Sequence, residues 1–229
     1  HQDISKDAAK ERAIELLAKV GIPNPAERVD NYPHEFSGGM RQRAVIAIAM
    51  ANDPEVILAD EPTTALDVTV QAQVLASLKT ALTETGAALL LITHDLGVIA
   101  GLADRVLVMY AGRPVETGTA EDIFYKPSMP YTLGLLGSLP RLDSDGTERL
   151  RQIPGSPPSM LGDRTGCPFA PRCPLAAEIC ATTEPGLVVV PSVTSEPGGH
   201  QAACHFAEEV GRGNHGGVFS DGVVDDVVA

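Results

Sequence analysis

The sequence predicts an α/β fold with a mostly parallel sheet and a helical portion, followed by a small irregular domain stapled by a metal centre. Three observations predict it. Short apolar runs bounded by turns, at 55–59 (EVILA) and 87–92 (AALLLI), read as buried parallel strands. Segments with helical spacing alternate with these runs, as in strand–helix–strand units. Beyond Pro140 the periodicity stops, prolines accumulate, and all four cysteines of the chain fall between Cys167 and Cys204.

The elements follow in order. Over 6–20, Ala13, Ile14, Leu16, Leu17 and Val20 form one helical face, and Gly21 and Pro23 stop it. A loop through Pro25 and Pro33 leads to Ser37-Gly38-Gly39 and a second helix over 41–52, ended by Asp53-Pro54. The first strand, 55–59, is followed by a helix over 68–83 and the second strand by a short helix over 95–102. Two more strands, 105–110 and 114–117, flank Ala111-Gly112, and helices are expected over 119–125 and 129–137. The Gly-rich, then acidic, stretch after Gly211 reads as a linker or tail.

Composition excludes several classes. The chain has 229 residues, no Trp, 4% aromatics and a net charge of −13, which argues against a nucleic-acid partner. No run approaches the length of a membrane span, and the opening His1-Gln2-Asp3 has no secretory character. The first residue is not Met, so a piece of a longer polypeptide is expected. A cytosolic, reducing setting makes metal ligation the expected role of the cysteines.

The segment Phe36-Ser37-Gly38-Gly39-Met40-Arg41-Gln42-Arg43 places a capping Ser and two Gly at a helix start. Unpaired N–H groups and the positive dipole end suit phosphate oxygens there. Alone, it is an ordinary capped helix start. It is followed by Asp60-Glu61-Pro62 directly after the apolar strand, where Asp60 can hold Mg²⁺ and Glu61 can orient or deprotonate water. His94 ends the next strand, and side chains at strand carboxyl ends converge on one crevice in open α/β sheets.

In this order the residues resemble an ABC ATPase domain, a partial P-loop NTPase. Ser37-Gly38-Gly39 is similar to the signature motif, Val56 to Glu61 to the Walker B strand, Ala65-Leu66-Asp67 to the D-loop, and His94 to the switch His. The phrase from Tyr32 to Arg43 resembles the oligopeptide/dipeptide importer branch. The resemblance implies that Glu61 and His94 are catalytic, with Asp60 serving Mg²⁺. It also implies that Ser37, Gly38, Gly39, Met40 and Asp67 contact ATP held by a second ATPase domain. Implied partners are that domain, two membrane-spanning permease subunits and an extracytoplasmic peptide-binding protein, at the cytoplasmic face of the membrane.

A Walker A motif, Gly-x-x-x-x-Gly-Lys-Ser/Thr, is absent: none of the five Lys (Lys6, Lys10, Lys19, Lys79, Lys126) follows a Gly. No Gln loop is recognisable. The chain alone is therefore expected to bind ATP poorly and not to turn it over.

The cysteines, Cys167, Cys173, Cys180 and Cys204, follow the spacing C-x5-C-x6-C-x23-C. Four thiolates suit a [4Fe–4S] cluster or Zn²⁺, and the spacing does not choose. The segments 129–136 and 167–174 resemble the C-terminal extension of peptide-importer ATPases, which implies a [4Fe–4S] cluster on all four, with Zn²⁺ the alternative and His200 and His205 as bystanders.

The expected map is 1–53 for a helical subdomain with the signature motif and 54–139 for the core from Walker B to His94. It continues with 140–207 for the iron–sulfur extension and 208–229 for a tail. The expected function is an ATP-driven motor for importing short peptides. The alternative is an iron–sulfur redox or sensor protein that uses an ABC-like domain as a docking scaffold.

Overall fold

The structure, a computed structural model, describes residues 3–139, 152–158, 165–194 and 199–213. The expected tail lies outside the described residues from 214 onward, as does the start of the expected cysteine region at 140–151. The chain forms two compact units, residues 1–94 and 95–229.

The first unit begins with α1 (Lys6–Lys19), capped by the Ser5 hydroxyl, which accepts from Ala8 N at 3.2 Å. The short α2 (Pro25–Arg28) starts on a proline, which fits a first helical turn. Helix α3 (Gly38–Met50) begins three residues earlier than its apolar pattern, because Ser37 caps it and both glycines lie in its first turn. Strand β1 (Val56–Asp60), α4 (Val68–Thr85) and β2 (Ala88–Ile92) complete the unit.

Helices α1, α3 and α4 pack on one another and bury Leu16, Ile46, Ala47, Met50, Val74, Leu78 and Ala81. Buried Ser77 on α4 donates to the carbonyl of Val20 at 3.0 Å, giving a partner to an otherwise orphaned carbonyl beyond α1. Arg43 reaches back from α3 to the Gly21 carbonyl at 2.6 Å. A Cβ added at Gly39 would lie 2.3 Å from Val70 Cγ1, so only glycine lets α3 approach α4 this closely. Gly39→Ala is therefore expected to destabilise the chain by about 1–3 kcal/mol. Val70→Ala should relieve most of that cost, and thermal unfolding of the two single variants and the double variant checks the coupling. Additive losses would remove the contact as the reason for the glycine.

The second unit opens with α5 (Leu96–Leu102), capped by Asp95. Strands β3 (Arg105–Tyr110) and β4 (Arg113–Thr119) are joined by Ala111 and Gly112, with φ of 51° and 77°. A two-residue turn with both φ positive closes a twisted hairpin. Helix α6 (Ala120–Tyr125) starts with a capping box between Thr119 and Asp122, and α7 (Pro130–Gly137) with Pro130. Helix α8 (Glu178–Thr182), β5 (Val188–Val190), β6 (His200–Ala202) and α9 (Ala207–Gly211) follow.

The strand order β3-β4-β6-β5 is antiparallel throughout. Its core joins Val106, Val108, Tyr110 and Val115 to Ile123, Met129, Phe169, Val190, Ala202 and Ala207. Tyr110, Tyr131 and Phe169 meet with ring centroids 4.6–5.4 Å apart. The cysteine-bearing segments thus share one core with β3 and β4.

Two buried carboxylates tie the unit together. Glu116 Oε1 accepts from Ser128 N and lies 2.7 Å from His200 Nε2, and both side chains are fully buried. Asp122 accepts from Thr119 N, the Ser192 hydroxyl and Val193 N at 2.7–3.0 Å, fixing 191–194 against α6.

Two expectations need correction. The sheet is not mostly parallel: among the described residues only β1 and β2 pair in parallel, in the register Val56↔Ala88 to Asp60↔Ile92. A two-residue turn cannot make the crossover that a parallel pair needs, so β3 and β4 are antiparallel. Nor are β1 and β2 buried on both faces. Ile57 and Ala59 are buried, but Leu58 is 71% exposed and its neighbour Leu90 is 55% exposed, because no described residues cover that face.

Candidate functional site

The parallel register of β1 and β2 brings their carboxyl ends together. Asp60 closes β1 opposite Ile92, and Glu61 N adds one more bond, to the Ile92 carbonyl at 2.9 Å. Glu61 then turns the chain with a φ of 45°, a left-handed conformation that costs a non-glycine residue on the order of 1–2 kcal/mol. The turn runs through Thr64 N to Glu61 O at 3.2 Å and through Ala65, whose φ is 61°. It ends at Asp67, whose carboxylate accepts from Val70 N at 3.0 Å and caps α4. Strain of this kind, held by the surroundings, collects at functional sites.

His94 follows β2 by two residues, and its Nδ1 lies 3.0 Å from Glu61 Oε1. The Thr64 hydroxyl donates to Glu61 Oε2. These two hydrogen bonds, with that of Thr64 the larger influence, hold the Glu61 carboxyl below its usual range, and the slight burial opposing them is outweighed. Glu61 therefore stays ionised to lower pH than a free carboxyl. An ionised Glu61 takes the Nδ1 proton of His94 as donor, which fixes that tautomer and leaves Nε2 for a ligand. Both side chains are solvent-accessible.

The start of α3 belongs to the same unit. Ser37 accepts from Met40 N at 3.4 Å, and Ser37 and Gly38 are exposed whereas Gly39 is buried. Gln42 Nε2 donates to the carbonyl of Pro62 at 2.7 Å, which pins α3 to the residue immediately after Glu61. A Cβ on Gly38 would rest 3.7 Å from Leu66 Cδ2. Ser37, Gly38, Gly39 and Met40 thus neighbour the turn that carries Glu61, Leu66 and Asp67. The structure joins Glu61 to His94 and places Asp60 at the end of β1, next to Glu61 in the chain. Thr64 and Gln42 were not singled out by sequence reasoning. Only the three-residue spacing of a hydroxyl after Glu61 could have drawn attention to Thr64.

The four cysteines line a single cavity with Met129, Pro130, Phe169, Leu175, His205 and Phe206. Cys167 N bonds to the Cys180 carbonyl at 2.7 Å, and a Cβ on the preceding Gly166 would lie 2.4 Å from that carbonyl, so the chain passes there only as glycine. Backbone N–H groups point at sulfur. Phe206 N lies 3.4 Å from Cys204 Sγ, Phe169 and Ala170 bond to Cys167, and Leu175 bonds to Cys173. Burial pushes the Cys167 thiol up, Cys173 up to about 11 and Cys204 up to about 12.

The metal staple expected from the sequence is not formed by these positions as they stand. All four cysteines are free thiols, and among the described residues no three His, Cys, Asp or Glu side chains gather closely enough to hold a metal ion. Thiolates around one zinc ion sit about 3.8 Å apart, given a Zn–S bond of about 2.3 Å and tetrahedral geometry. The two histidines are engaged elsewhere. His200 pairs with Glu116, and His205 Nε2 lies 2.9 Å from the Thr183 carbonyl.

Residues 1–64 match the family described as ABC transporter, and residues 115–180 match the family described as Oligopeptide/dipeptide transporter, C-terminal region. The chain is 58% identical over 207 residues to the oligopeptide transport ATP-binding protein OppD of Mycobacterium tuberculosis, covering 90% of this chain and 33% of that protein. It is 54% identical over 189 residues to the dipeptide transport ATP-binding protein DppD of Bacillus subtilis, covering 82% of this chain and 56% of the relative. It is also 54% identical over 185 residues to OppD of Salmonella typhimurium, covering 81% and 55%. The chain thus spans between 33% and 56% of the length of these relatives.

Proposed function

We propose, from the premise that this chain carries part of an ABC transporter ATPase domain joined to an oligopeptide/dipeptide transporter C-terminal region, that it belongs to the ATP-hydrolysing subunit of a peptide importer. The observation that carries the proposal is the contact between Glu61 and His94 at the carboxyl ends of paired parallel strands, beside the glycine-rich start of α3. Nothing in the fold or the relatives favours the redox-sensor alternative.

In this reading the chain works by positioning charge, as in phosphoryl transfer generally. Asp60 at the end of β1 suits Mg²⁺, which takes one or two carboxylates alongside phosphate oxygens, and bound Mg²⁺ neutralises charge on the transferring phosphate. Glu61 accepts a proton from the attacking water. His94 presents Nε2 to the γ-phosphate. The start of α3 at Ser37, Gly38, Gly39 and Met40, with Asp67, faces nucleotide bound by a second ATPase domain. Motion of the two domains passes to membrane-spanning partners. No helix among the described residues is long and apolar enough to cross a membrane, which fits attachment through such partners.

The cysteine cavity suits a [4Fe–4S] cluster ligated by Cys167, Cys173, Cys180 and Cys204. Its fit rests on four sulfur donors around one space and on N–H groups aimed at three of them, which stabilise thiolate charge. Zinc on the same four sulfurs is the alternative. The cluster would act as a cross-link for a segment with little core of its own.

The test is transport. The complete subunit, assembled with its permease partners and a peptide-binding protein in proteoliposomes, should hydrolyse ATP faster when short peptides are supplied outside. Turnover indifferent to peptide would sink the importer reading.

A further inference from the structure

Glu61 presents a problem of placement. Its carboxylate is exposed, so packing does not hold it, and its left-handed backbone leaves the side chain at the outside of a turn. Two hydrogen bonds do the placing. His94 Nδ1 meets Oε1, and the Thr64 hydroxyl meets Oε2. Thr64 is also tied to the same residue through the backbone, since its N–H donates to the Glu61 carbonyl at 3.2 Å. One residue thus grips Glu61 at both its carbonyl and its carboxylate.

We infer that Thr64 is a positioning residue for Glu61, its hydroxyl fixing the plane of the carboxylate that receives the proton of the attacking water. This deepens the ATPase reading and rests on it. A carboxylate oxygen has two lone pairs, so each oxygen that accepts from Thr64 or His94 keeps one to receive water. With one oxygen anchored on either side, the carboxylate cannot rotate, and the direction of the remaining lone pairs is set before nucleotide arrives. Reaction geometry of this kind is sensitive to small displacements. The titratable groups adjoining the turn are His94 after β2, Asp60 at the end of β1 and Asp67 at the start of α4. Of the described side chains, only Thr64 and His94 bond to Glu61.

Two measurements test the inference. In the complete transporter, Thr64→Val should lower kcat for ATP roughly 3- to 10-fold with little change in KM, the loss of one hydrogen bond to a charged group. Thr64→Ser, which keeps the hydroxyl, should restore most of the rate. In a Glu61→Gln background, Thr64→Val should cost nothing further, because the group it positions is gone. A KM effect, failure of Ser to rescue, or full additivity with Glu61→Gln would overturn the inference.

The second measurement needs no ATP. Three-bond NMR couplings of the Glu61 side chain, selectively labelled in the complete subunit, should report one rotamer in the wild type and Thr64→Ser, and averaging in Thr64→Val. Unchanged couplings overturn the inference even where ATP turnover is established. A loss of rotamer order in Thr64→Val, in a protein whose complete transporter shows no ATP turnover, supports the contact and overturns the ATPase reading instead.

Discussion

Glu61→Gln in the complete transporter, with the other ATP site disabled, should stop turnover and leave ATP trapped between the two ATPase domains. The expected loss is roughly 10²–10⁴-fold in kcat, the usual contribution of a positioned general base. Gln preserves the size of the side chain and can still reach both neighbours. What it loses is the negative charge that the Thr64 hydroxyl and His94 Nδ1 gather around. Binding should survive because nothing that faces nucleotide has been removed. Retained nucleotide after rapid desalting, beside a phosphate-release rate near background, is the expected pair of readings. Normal phosphate release by the variant would take the water-activating role away from Glu61.

The cysteine cavity carries the second large expectation. Anaerobically purified protein should be brown and contain iron and sulfide near four of each per chain, by the cluster stoichiometry. Cys204→Ala should be colourless and low in iron, with a lower unfolding temperature. Cys204 lies between β6 and α9, and Cys167, Cys173 and Cys204 all pack against the core of the second unit. Losing the cross-link therefore loosens the segments that close that core. Without metal the thiols are protonated at neutral pH, and burial raises those of Cys173 and Cys204 further, so loading must release protons. A colourless wild-type protein holding one zinc per chain would end the cluster proposal and leave a simpler staple.

Much of the helical architecture was legible because caps and turns act locally. Ser37, Asp67 and Asp95 each accept from the first turn of the helix they precede, and Ala111-Gly112 closes the hairpin between two predicted strands. The grouping of Asp60, Glu61 and His94 was legible for a similar reason: each lies at the end of an apolar run, and parallel pairing aligns those ends. Strands β5 and β6 were not legible. Each has only three residues, too few for a period of two, and the pairing of β6 with β4 depends on a partner far along the chain. The grip of Thr64 on Glu61 was hidden for a different reason. It depends on left-handed conformations at Glu61 and Ala65, and neither residue type announces one. The buried pair of Glu116 and His200 was equally silent, since a charged residue inside a strand pattern normally marks the solvent face.

The open face of the paired strands β1 and β2 has a practical consequence for anyone handling this polypeptide. Val56, Leu58, Leu90 and Ile92 are each more than half exposed on a ribbon that is two strands wide among the described residues. Such a ribbon offers free backbone edges next to a greasy surface, and another copy can stick to both at once. Expressed alone and concentrated, the chain should therefore clump, and lysine placed at Leu58 and Leu90 should keep it in solution while leaving Glu61 and His94 where they are.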